Sequence, residues 1–100
     1  MQLLNVPTAS AQTGTSAKYN DVSSLWKDYT PTIYIDGTFS GATVVVECSP
    51  DPLSVADSSS RWHTITTQTA PAMVACNYKY KKIRARVSVG GTGSLIVEMP

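Results

Sequence analysis

The sequence is short of charge. Only 15% of its residues are Asp, Glu, Lys or Arg, and eight cations against seven anions leave a net charge of +1. No global field therefore draws the chain to nucleic acid or to an anionic membrane. It has a single histidine and two cysteines. One imidazole, with no C-x-x-C or H-x-x-x-H spacing beside it, gives a metal site nothing to start from, and two cysteines make no disulfide framework. Apolar runs are short as well, such as Val44-Val45-Val46 and Leu95-Ile96-Val97, far below the ~18 residues of a membrane span. The opening Met1-Gln2-Leu3-Leu4-Asn5-Val6-Pro7 lacks the basic and apolar regions of a secretory signal, so synthesis and use in a reducing cytosol are expected.

What the chain has instead is hydroxyl and β-branched side chains. Twelve serines, twelve threonines, ten valines and five isoleucines in 100 residues favour pleated, half-buried surfaces over helices, and the length suits one domain. From Thr32 onward the period is two. Ile33, Ile35 and Phe39 alternate with Tyr34, Asp36 and Thr38. Ser40-Gly41 reads as a tight turn into 42–48, so these two segments are expected to form a hairpin. Ser49-Pro50-Asp51-Pro52 breaks the ladder, and a polar serine loop runs up to Arg61. Further strands are expected at 62–67 and 72–76. The clearest alternation places Ile83, Ala85, Val87 and Val89 on one face and Lys82, Arg84, Arg86 and Ser88 on the other. Gly90-Gly91-Thr92-Gly93 reads as a hairpin turn into a last strand at 94–99. Six to seven short strands predict an all-β antiparallel sandwich, jelly-roll or Ig-like. Residues 1–20, small and polar, predict an extended N-terminal arm ahead of a sandwich at 21–100, ordered only against neighbouring subunits. Val22, Leu25, Trp26 and Tyr29 have helical spacing, but about eight residues make a marginal helix, and a bent strand or single turn is preferred.

The candidate chemistry is sparse. Cys48 and Cys76 flank Trp62, yet their separation is short for an immunoglobulin pair, and two buried free thiols are the better reading. His63 is the only imidazole that could activate a serine, and no G-x-S-x-G elbow accompanies it, so no catalytic residues and no cofactor are expected. Asp51 and Asp57 match no calcium-loop pattern. The glycine turn lacks the Gly-Lys-Ser/Thr of a phosphate loop.

One cluster stands out. Tyr78-Lys79-Tyr80-Lys81-Lys82-Ile83-Arg84-Ala85-Arg86 holds five of the eight cations. A strand presenting Tyr80, Lys82, Arg84 and Arg86 in one row could stack bases and neutralise phosphates, as open-barrel single-strand binders do. The blander reading is a solvated or partner-facing strand that uses charge against aggregation, and it is preferred. A third use is docking on an acidic protein surface, with Lys79, Lys81, Lys82, Arg84 and Arg86 selecting the site and Leu3, Leu4, Val6, Trp26 or Tyr29 supplying apolar anchors.

The order Asp36-Gly37-Thr38-Phe39-Ser40-Gly41-Ala42-Thr43-Val44, then Ser49-Pro50-Asp51, Trp62-His63, and Ile83-Arg84-Ala85-Arg86-Val87-Ser88 before Gly90-Gly91-Thr92-Gly93, resembles the small β-sandwich virion proteins of tailed bacteriophages. The likeness spans residues 32–99 and rests on structural punctuation. The Pro52–Ser60 insertion is longer and richer in serine than that pattern. The resemblance implies a non-enzymatic virion component made in the host bacterial cytoplasm: a capsid decoration or cement protein, or alternatively a neck, tail or fibre part. Its partners would be the major capsid protein, other virion proteins and further copies in a homo-oligomer. Nucleic acid is disfavoured and no membrane is involved.

Overall fold

The computed structural model describes residues 2–6, 12–13, 17–18, 32–52, 54–76 and 80–99. Its strands are β1 (Gln2–Val6), β2 (Gln12–Thr13), β3 (Ala17–Lys18), β4 (Thr32–Ser40), β5 (Thr43–Ser49), β6 (His63–Gln68), β7 (Ala72–Ala75), β8 (Lys82–Val89) and β9 (Thr92–Glu98). Among the described residues a single 3-10 turn at Asp57–Ser59 interrupts the β pattern. Every pairing is antiparallel, and the strands form two sheets. The sheet called A here runs β1-β9-β4-β7, and sheet B runs β2-β8-β5-β6 with β3 also on β8. The chain is thus an all-β antiparallel sandwich.

The two-residue period explains the core. Ile33 and Ile35 of β4, Val44, Val46 and Cys48 of β5, Ile83, Ala85 and Val87 of β8, and Leu95 and Val97 of β9 all point inward and are buried together. Each fully buried valine or isoleucine contributes about 1.5–3 kcal/mol relative to leaving it in water. β-branched side chains suit this environment because their stiff χ1 loses little on a pleated surface.

The pairing is nested. β5 pairs with β6, β4 with β7, β2 and β3 with β8, and β1 with β9. Segments before the 50–62 loop therefore meet their mirror images after it, as in one long ribbon folded at that loop. Rolling the ribbon brings β4 against β9 and β5 against β8, which completes both sheets.

Two expected hairpins are corrected by this topology. β4 and β5 lie in different sheets, as do β8 and β9, so Ser40-Gly41 and Gly90-Gly91 carry the chain from one sheet to the other. The glycine motifs meet each other instead, since Phe39 sits opposite Gly93 and Ser40 opposite Thr92 in the β4·β9 ladder. Gly93 has φ +94°, and a Cβ there would run into the Thr38 carbonyl oxygen. A side chain at this crossing would strain the backbone and push the strands apart.

The N-terminal segment is corrected too. Residues 2–6 are no free arm: β1 lies along β9, with Leu4 opposite Val97 and Val6 opposite Leu95. Leu3, Leu4 and Val6 are buried in this chain's own core. Apolar side chains at the rim of a sheet find nearer partners in its interior than on a neighbour, so their order needs no second subunit. The segment at 21–29 lies outside the described residues.

Candidate functional site

The outward row of β8 is where sequence reasoning concentrated its candidates. Lys82, Arg84 and Arg86 do share that face, opposite Ser49, Glu47 and Val45 of β5. The row is closed from above at its first position. Lys82 has no exposed surface. Its Nζ donates to the Val55 carbonyl at 2.8 Å and to Asp57 Oδ1 at 3.1 Å, so the 50–62 loop lies over it. A buried ammonium is tolerated only where partners replace its water, and here a carbonyl and a carboxylate do so.

Arg84 and Arg86 converge on one carboxylate. Glu47, 5% exposed on the outer side of β5, accepts from Arg84 Nε at 2.7 Å and from Arg86 Nε at 3.2 Å. The Trp62 ring covers the first guanidinium, with Arg84 Cζ 3.9 Å from the ring centroid and Lys82 Nζ at 5.4 Å. Trp62 is itself held by its indole N–H, which donates to the Asp57 carbonyl at 2.9 Å. The loop is pinned at its base by Asp51. That carboxylate accepts from the Arg61 backbone N–H at 2.7 Å and from Arg61 Nη2 at 2.8 Å. These bonds, with the nearby guanidinium charge, lower the Asp51 carboxyl to about 2.

The sequence candidates separate accordingly. Tyr80 does not join the row: it is buried in the core, with its hydroxyl 3.9 Å from Met99 Sδ. The strand starts only at Lys82, after a bend at Lys81, so the parity that aligned Tyr80 with Lys82 does not apply. Lys81 is exposed and its backbone N–H donates to the Ser49 carbonyl. Leu3, Leu4 and Val6 are core residues. Tyr78, Lys79, Trp26 and Tyr29 lie outside the described residues. Glu47 and Asp57 supply the opposing carboxylates and Trp62 the covering ring, three partners that the sequence does not assign to the cations. A lone glutamate in the apolar run Val44–Cys48 was the available signal, because such a residue needs a cationic neighbour.

Both cysteines are buried. Burial first, then the neighbouring Cys76 thiol and the Glu47 carboxylate, push the Cys48 thiol up to about 11. A thiol with so small a thiolate fraction at neutral pH is a poor nucleophile. His63 is exposed at the start of β6. No group of three His, Cys, Asp or Glu side chains is arranged to hold a metal among the described residues, and no helix there is long and apolar enough to cross a membrane.

A different region is left open. β6 ends sheet B and β7 ends sheet A on the same side of the sandwich, and no described strand pairs with their outer edges. No Asp, Glu, Lys or Arg occurs between Arg61 and Lys79. Met73 of β7 is 73% exposed, the most exposed of the large apolar side chains among the described residues, and it sits opposite Tyr34 at 37%. Compared with models of protein families, with curated proteins and with solved structures, the chain matches none.

Proposed function

We propose that the chain is a non-enzymatic structural protein that works by adhesion, as a capsid decoration component of a tailed-bacteriophage virion. The observation that carries this reading is the nested pairing of β1 with β9, β2 and β3 with β8, β4 with β7, and β5 with β6. We read it as the strand order of a jelly roll, an architecture that recurs in viral capsid domains. Fold does not dictate function, so the virion assignment also leans on the resemblance of residues 32–99. The glycines and the Ser-Pro-Asp turn that carry that resemblance have structural work here, at the β4·β9 crossing and at the clamp of the 50–62 loop.

The competing use of the β8 row, stacking and neutralising a single nucleic-acid strand, is the less favoured reading. Of its four residues Tyr80 and Lys82 are buried, and Arg84 and Arg86 share Glu47. A cation already paired with a carboxylate releases no counterions from a phosphate until that pair is broken.

Quantitative mass spectrometry of purified phage particles from the strain that encodes the chain tests the proposal. Peptides of this protein in fixed stoichiometry to the shell protein, retained through a density gradient, are expected. Their absence from particles while the protein accumulates in the lysate would refute it.

A further inference from the structure

We infer that the β6 and β7 edges form a homotypic interface, at which a second copy of this chain adds its own edge strands across a two-fold axis. Four observations converge on it. First, β6 and β7 close their sheets on one side of the sandwich, joined through 69–71, so two ladders that no other described strand pairs with stand next to each other. Second, an exposed edge is a template for another strand, and natural sheets usually defend it with charge, proline or a cover. The sequence between Arg61 and Lys79 carries no charge, and its one proline, Pro71, lies between the two strands rather than in them.

Third, the occupant must tolerate its own image. Across a two-fold axis each residue meets the same surface, so a charged edge repels itself and a neutral one does not. The charged residues lie elsewhere, on the outer faces and in the 50–62 loop, for example Asp36, Glu47, Asp51, Asp57 and Glu98. A foreign acidic or basic segment would find no complementary charge at this edge, whereas a second copy needs none. Fourth, Met73 and Tyr34 lie together beside the β7 edge and leave apolar surface that an adjoining copy would cover. On β6, Thr64 and Thr67 lie opposite Glu47 and Val45 on the outer face, and both are exposed. Threonines facing across a strand pair add cross-strand hydrogen bonding.

This inference goes beyond the proposed function and stands without it, since edge pairing and particle membership are measured separately. Two short edges bury less than a standard interface, so a dimer that forms at micromolar rather than nanomolar concentration is expected.

Sedimentation velocity on the full chain from about 1 to 500 μM, a range that brackets such affinities, should show a monomer giving way to a species of twice 10.7 kDa. Thr64→Lys and Met73→Lys place a charge on each edge at exposed positions and should each weaken the dimer at least about tenfold, with an unchanged circular dichroism spectrum. Ser94→Lys, exposed on β9 away from both edges, is the control and should dimerise as the natural chain does. A chain that stays monomeric at the highest concentration overturns the inference. So does a dimer that both edge lysines leave intact, which would place the contact elsewhere.

Discussion

The outer face of sheet B and the β6–β7 edge pose opposite problems and are handled in opposite ways. The first holds three cations in a row that are already engaged: Lys82 is capped by the 50–62 loop, Arg84 lies against Trp62, and Arg84 and Arg86 share Glu47. The second has no formal charge and is open among the described residues. A count of charges along the chain would assign binding to the first and nothing to the second. Availability reverses that order. A charge that is already paired is part of the structure, whereas a neutral edge with no partner among the described strands can recruit one.

The contrast breaks most sharply at Glu47. Glu47→Ala leaves two guanidinium groups without their carboxylate and should cost about 2–4 kcal/mol, at or below the range for breaking a buried pair because Arg86 is partly exposed. Urea titration measures the loss. The same variant frees cations on β8, so it should begin to retain single-stranded DNA at low salt, whereas the natural chain should give no gel shift. A salt-sensitive shift by the natural chain would show that the face is not closed.

Trp62→Ala should cost about 2 kcal/mol, because it removes the ring stacked on Arg84 and Lys82 and the indole bond to Asp57. It should also raise the exchange rate of backbone amides in the 50–62 loop, while β6 and β7 keep theirs. A Trp62→Phe variant should recover part of the stability through stacking alone.

The thiols probe the interior between these two regions. In the native state Cys48 and Cys76 should react with Ellman's reagent at pH 8 at least about a hundredfold more slowly than in guanidinium chloride, since burial raises the thiol and blocks access. Because the folded Cys48 value lies above its ordinary 9.0, the folded state favours the protonated thiol. Stability should be full below pH 9 and decline as the pH rises towards 11.

The smallest effect belongs to the clamp at the base of the loop. The folded Asp51 carboxyl is lowered from 3.8 to about 2. Its contribution is therefore complete above the ordinary value and fades as the pH falls towards 2. Asp51→Asn should lower Tm by only about a few degrees at neutral pH, as expected for a surface ion pair, and should flatten the decline in Tm between pH 4 and 2.

The fold class was legible because the chain alternates cleanly at 32–39 and 82–89, and a period of two leaves no other element. The crossings were not. A glycine turn between two alternating segments has the same local chemistry whether the chain stays in one sheet or passes to the other, and only the long-range β4·β9 and β5·β8 pairings decide. Residues 2–6 gave too short a pattern to mark a strand, since Leu3 and Leu4 are consecutive and a register shift lies between Gln2 and Leu4. The cationic row was visible as a pattern on β8, but its partners come from β5 and from a loop about 25 residues away. Distances of that kind are not written in local periodicity. The uncharged stretch between Arg61 and Lys79 was plain in the sequence, yet only the strand order makes it an edge.

Hydrogen exchange at two protein concentrations, about 2 and 200 μM, tests most directly whether the chain adheres through its neutral edges. Amides of 63–68 and 72–75 should become more protected at the higher concentration, while those of 82–89, buried between two strands at either concentration, should not change. Equal protection of the edge strands at both concentrations would contradict it.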